Sequence, residues 1–337
     1  MTLELLGISV LWLFLFGYII VASIDFGAGF FSAYSDMAKK KHVIHKIIQR
    51  YLSPVWEVTN VFLVFFFVGI VGFFPKTAYY YGYTLLVPVS ISIILLAIRG
   101  SYYAFSTYGL KDHKLYMFLY GITGLFIPAS LSIVLVISEG GFVDLSQHHP
   151  TLLYKDLFIS PFTWSIVLLS IVSVLYISAN FLTYYAHEAG DFKARDLLRR
   201  YTVIWSGPTI LSALLIIYQL KYHNPEHFVR LMDVSWMLIG SFLLFIFSLY
   251  LIVKRGYFGW SFILLVLQYG LAFYAYGISH YPYLLYPYLT IYDGFTNETM
   301  AVSLVIAFIA GLFLLIPSLY LLLKLFLFNK NYVKGQL

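Results

Sequence analysis

Two carboxylates and one guanidinium set the chemical question. Asp25 lies within Ser23-Ile24-Asp25-Phe26-Gly27-Ala28-Gly29-Phe30, and Glu57 within Ser53-Pro54-Val55-Trp56-Glu57-Val58-Thr59-Asn60. Arg99 lies in a third apolar run. An ionisable group in hydrocarbon is costly, so it faces protein or a watery cavity, pairs with an opposite charge, and marks a proton or ion route. Desolvation raises the proton affinity of a buried carboxylate, which suits it to pass protons near neutral pH.

The elements that position these groups are long apolar helices. Of 337 residues, 61% are hydrophobic and 11% charged, with a mean hydropathy of +0.85. Such a composition fits a polytopic all-α membrane protein and leaves no room for a separate soluble nucleotide-binding domain. Thiolate ligation, iron–sulfur clusters and disulfides within the chain are excluded, because it has no cysteine. The first apolar run is too long for a signal h-region and has no basic segment before it, so it reads as a retained first span.

Nine apolar runs are long enough to cross a bilayer: 5–35, 54–74, 82–105, 115–138, 162–187, 201–220, 232–253, 258–279 and 299–328. Basic residues alternate between their connectors. Lys39 to Arg50, Lys111 and Lys114, Lys193 to Arg200, Lys254 and Arg255, and Lys324 to Lys334 fall on one side. Only Lys76, Lys155, Lys221 and Arg230 fall on the other. That asymmetry predicts an outside N-terminus and a cytoplasmic C-terminus, and it reads the net charge of +6 as topology rather than nucleic-acid affinity. Asp25, Glu57 and Arg99 then share one layer near the cytoplasmic face.

Ser53-Pro54 has the form of a helix start, with serine as N-cap and proline at the first position. A carboxylate at Glu57 would then also suit the positive end of the helix dipole. Asp25 could equally form a structural ion pair with Arg99. Gly27 and Gly29 suit close helix contact. Arg50-Tyr51 before Trp56 is echoed by Arg200-Tyr201 before Trp205. The echo predicts a four-helix repeat over 1–140, a second over 155–280, and a ninth helix with a tail over 296–337. The tyrosine-rich segments 79–81 and 281–292 read as an interfacial aromatic belt in contact with lipid. The histidines fall in connectors or at span edges, so the chain is expected to ligate no metal and no haem iron. Two neighbouring ligands, as in His148-His149 or Glu226-His227, are poor evidence of a metal site.

At Ile24-Asp25-Phe26-Gly27-Ala28-Gly29, and again at Pro54-Val55-Trp56-Glu57 followed by Asn60, the sequence resembles subunit II of the cytochrome bd quinol oxidases. Gly72-Phe73-Phe74-Pro75 and Arg99 agree with that pattern. The motifs cover about the first hundred residues, and the nine spans extend the likeness over the chain. The resemblance implies a multi-pass subunit in the bacterial cytoplasmic membrane, within a complex that oxidises a quinol and reduces dioxygen to water. Subunit I would hold two b-type haems and one d-type haem, and small single-helix subunits often join the pair. Asp25 and Glu57 match carboxylates that are candidates for the cytoplasmic proton route, and no residue of this chain would be catalytic. Glu57 stands where many members have aspartate, one methylene shorter.

Two other readings use the same residues. A secondary transporter could couple through Asp25 and Glu57, although Pro88, Pro128 and Pro317 are scattered rather than paired between the halves. A purely structural subunit would need the carboxylates only for packing.

Overall fold

A computed structural model describes residues 2–37, 41–108, 114–146, 149–322 and 324–325. The side chains of 36, 41–43, 45–46, 49–59, 102–108, 114, 116, 319 and 322 lie outside that description, and those of Pro54, Trp56 and Glu57 are among them. The first half contains α1 (Leu3–Met37), α2 (Lys41–Phe73), α3 (Pro75–Thr84), α4 (Leu86–Tyr108), α5 (Lys114–Leu131) and α6 (Ile133–Ser138). A hairpin of β1 (Val143–Asp144) and β2 (Thr151–Leu152) and the short α7 (Tyr154–Ile159) lead to the second half. That half contains α8 (Pro161–Glu188), α9 (Phe192–His223), α10 (Pro225–Asp233), α11 (Ser235–Val253) and α12 (Phe258–His280). A second hairpin, β3 (Tyr283–Leu285) with β4 (Leu289–Thr290), precedes α13 (Glu298–Leu322).

Among the described residues, seven helical stretches are long and apolar enough to cross a membrane: Leu3–Ser35, Met117–Ser138, Pro161–Glu188, Phe192–His223, Ser235–Val253, Phe258–His280 and Glu298–Ser318. Asn60–Phe73 reaches that length only together with Pro75–Thr84, and a bend of 119° separates the two. The apolar part of α4 is the shorter Leu86–Ser101.

One expectation is corrected. α2 runs unbroken through Ser53-Pro54 from Lys41, so that pair is not a helix start, and Pro54-Val55-Trp56-Glu57 is not at the entrance of a helix. Glu57 sits sixteen residues inside α2, beyond the reach of a helix-terminal dipole. The extension forms because Ile44, Ile47 and Ile48 recur at helical spacing and are buried against α8 and α9. α9 likewise begins at Phe192, ahead of the expected 201, where the Asp191 side chain caps it by accepting from the Ala194 N–H.

Both halves pack in the same order. α1 packs on α2 and α5, and α4 on α5; α8 packs on α9 and α12, and α11 on α12. In each series a short helix opening with proline follows the second long helix: Pro75 begins α3 and Pro225 begins α10. The halves join where α1 meets α8, and α13 lies outside them against α1 and α2.

Candidate functional site

Glycines let the helices close around Asp25. A Cβ at Gly27 would overlap Ser178 of α8, whose hydroxyl donates to the Ile24 carbonyl at 2.9 Å. One at Gly124 would overlap the Phe26 carbonyl, so α1 and α5 touch backbone to backbone. One at Gly29 would come within 2.8 Å of both Arg99 Nη1 and the Tyr120 ring. Gly29 therefore makes the space into which Arg99 reaches.

Arg99, fully buried, uses three faces of its guanidinium. Nε donates to Asp25 Oδ2 at 3.1 Å, Nη2 to the Asp25 carbonyl at 2.6 Å, and Nη1 to the Tyr120 carbonyl at 2.9 Å. Its plane lies 3.9 Å from the centroid of the Tyr120 ring. The Tyr120 hydroxyl donates to Asp25 Oδ1 at 3.3 Å. Asp25, 2% exposed, thus has both oxygens engaged, and α1, α4 and α5 are pinned at one point. A guanidinium suits this place because its fork satisfies several acceptors at once, which an ammonium cannot do in one plane. Of the residues singled out in the sequence, Asp25 and Arg99 are brought into contact. Asn60 is half-buried on α2, and the Glu57 side chain lies outside the described residues.

The corresponding place in the second half is uncharged. Asn180 on α8 donates to Ser261 on α12 at 3.1 Å and approaches Ser248 on α11 at 3.5 Å. First, third and fourth long helices meet at a polar point in both halves, but only the first half carries charge there.

A second buried charge cluster, barely signalled in the sequence, lies at the other end of the bundle. Glu139, just beyond α6, accepts from the Tyr276 hydroxyl at 2.6 Å and from Asn224 Nδ2 at 3.1 Å. His227 Nδ1 stands 2.9 Å from each of its oxygens, and His280 Nδ1 stands 3.4 Å from Oε1. All three are buried. Burial pushes the Glu139 carboxyl up, but the hydrogen bond to His227 and the approach of His280 outweigh it and hold it well below the usual carboxylate range. Among the histidines whose side chains are described, those on the long helices, His187, His223 and His280, lie at helix ends.

Three comparisons with known proteins bear on this geometry. The sequence model of the family described as cytochrome bd terminal oxidase subunit II matches residues 3–326. A Bacillus subtilis (strain 168) protein, provisionally described as a cytochrome bd menaquinol oxidase subunit II, is 33% identical over 342 residues, covering 98% of each chain. A chain in the structure of bd oxidase from Geobacillus thermodenitrificans superposes with a TM-score of 0.86 at 73% identity, covering 98% of this chain and 100% of that one.

Proposed function

Because the chain belongs to the cytochrome bd terminal oxidase subunit II family, we propose that it supports a haem-bearing subunit I in the bacterial cytoplasmic membrane and supplies part of its cytoplasmic proton path. The chain is a membrane-embedded component of a quinol oxidase complex. Haem ligation, quinol oxidation and oxygen reduction are assigned to the partner, with a small single-helix subunit as a further neighbour. The relative's description favours a menaquinol as the reductant. Nine spans with the N-terminus outside, arranged as two four-helix units and a peripheral helix, account for the alternating basic connectors. The matched packing order and the paired prolines Pro75 and Pro225 support that division.

The observation that carries the proton-path reading is the buried Asp25 inside three closely packed helices. Oxygen reduction consumes protons, and a path through low dielectric needs polar groups that hold charge. In this reading Glu57 carries the proton, while Asp25, held by Arg99 and Tyr120, sets the field along the path or exchanges a proton when the pair opens. The Asp25–Arg99 contact also favours a second reading, in which the pair is a structural pin and the chain moves nothing.

The two readings separate on kinetics. Asp25→Asn and Glu57→Gln in the purified oxidase are expected to lower oxygen-reduction turnover and charge uptake by at least about tenfold, a modest loss for a removed proton-transfer group. Haem content and subunit stoichiometry should be unchanged in Glu57→Gln, whereas Asp25→Asn leaves the buried Arg99 cation without its carboxylate, so its turnover is read per assembled haem. If both variants keep turnover and charge uptake with normal assembly, the proton path is withdrawn and the structural pin stands.

A further inference from the structure

We propose that Glu139, His227 and His280 form a binding site for a divalent d-block cation, with Zn²⁺ as the fitting ion, that staples the first half of the chain to the second. The carboxylate can only accept, so what lies between it and the His227 Nδ1 is either an imidazole proton or a cation. The spacings lie around those of a bound cation, and 2.9 Å is equally the length of an imidazole–carboxylate hydrogen bond. Ligand atoms around a tetrahedral zinc with bonds of about 2.0 Å lie roughly 3.3 Å apart. Here His227 Nδ1 is 2.9 Å from Glu139 Oε2, His280 Nδ1 is 3.4 Å from Oε1, and the three ligand atoms lie within 4.8 Å of one another.

Two independent features point to a missing ligand. His280 is 7% exposed, yet neither of its ring nitrogens has a hydrogen-bond partner. Its Nδ1 faces the carboxylate, and its ring lies flat against Tyr276. An unsatisfied buried imidazole needs an explanation, and a bound cation supplies one. The supporting groups are also of the kind that orient metal ligands. The far nitrogen of His227, Nε2, is 2.7 Å from the Ser279 hydroxyl, while Tyr276 and Asn224 hold the two carboxylate oxygens. Two imidazoles and one carboxylate, with a fourth position open, are a zinc donor set. Glu139 comes from the first half and both histidines from the second, so the ion would add to the hydrogen bonds from Asn224 and Tyr276 that already join the halves there.

The test uses the intact oxidase, purified with a histidine-free tag, stripped with chelator, loaded with ZnCl₂ and desalted. About one zinc per copy of this chain, measured by plasma mass spectrometry beside the haem iron, is expected. His280→Gln is the informative variant, because its nitrogens make no hydrogen bond and only Nδ1 approaches the carboxylate, at 3.4 Å, so the fold should survive their loss. It should lose at least about nine-tenths of the zinc while keeping haem content and elution volume; Glu139→Gln should do the same, and the control His149→Gln should keep it. Zinc K-edge fine structure should show an all N/O shell with two imidazoles. Sub-stoichiometric zinc in the unaltered protein, retention in His280→Gln, or a shell lacking two imidazoles would overturn the assignment. Because metal content is read rather than turnover, failure of the proton-path reading leaves this result untouched.

Discussion

Arg99→Leu is expected to destabilise the protein by about 3–5 kcal/mol, the usual cost of leaving one member of a buried ion pair without its partner. The size follows from what the guanidinium holds. Its loss strands the Asp25 carboxylate at 2% exposure and frees the Asp25 and Tyr120 carbonyls it also binds. The Tyr120 hydroxyl, at 3.3 Å from Oδ1, is left as a weak neutral donor to a buried charge. Asp25→Leu combined with Arg99→Leu should recover most of the loss, because replacing both charges by apolar groups removes the stranded one. Thermal unfolding of the detergent-purified oxidase, followed by loss of native elution, checks both. Equal damage from the single and double variants would show that the two residues are not coupled. Arg99→Lys should fall between, since one ammonium cannot reach Oδ2 and both carbonyls in the arrangement the fork holds.

That pair was legible in the sequence to an unusual degree. The spacing of apolar runs and the alternation of basic connectors placed Asp25 and Arg99 at one depth before any contact was known. Depth is a one-dimensional property, so chain order suffices for it. Which helices touch is not, and the glycines supplied only a hint: Gly27 reaches α8, whereas Gly29 faces the guanidinium itself. The start of α2 misled because local chemistry and packing disagree there. Ser53-Pro54 has the composition of a helix start, but Ile44, Ile47 and Ile48 bury an apolar stripe that carries the helix thirteen residues further back, to Lys41. Packing of an amphipathic face outweighs a capping signal. The same conflict hid the first turns of α9, where basic residues on an exposed face read as a connector.

The cluster at the opposite end was nearly invisible for a different reason. His227 and Glu139 are 88 residues apart, and each residue alone looks like an ordinary polar group at a helix end. The available signal was Glu139 itself, an acidic residue closing an apolar run and followed by Gly140-Gly141. Charge counting passed over it because only lysines and arginines report topology. The paired prolines were also available: Pro75 and Pro225 lie 150 residues apart, the same spacing as Arg50-Tyr51 and Arg200-Tyr201. That spacing argues for a repeat more firmly than either dipeptide alone.

Gly140→Ala should show how tightly this end of the molecule is built. Gly140 has φ +81°, a conformation in which a side chain costs about 1–3 kcal/mol. A Cβ there would also overlap the Tyr286 carbonyl, and backbone can yield only by moving the second hairpin. Overpacking of that kind adds roughly 1–3 kcal/mol, so a total loss of about 2–6 kcal/mol is expected. The neighbourhood has little freedom to relax: the Tyr286 N–H donates to the Ser138 carbonyl at 2.9 Å, and His223 Nε2 lies 3.1 Å from the Gly140 carbonyl. Gly190→Ala is the internal control. Gly190 has φ +73° but nothing within 4 Å of the added carbon, so only the backbone strain should appear. Thermal unfolding of the two variants side by side measures the difference, which is the cost of the close approach alone. A Gly140→Ala protein as stable as Gly190→Ala would mean that the hairpin yields freely. Glu139, one residue away, would then lack the rigid support that its contacts with Tyr276, Asn224 and His227 require.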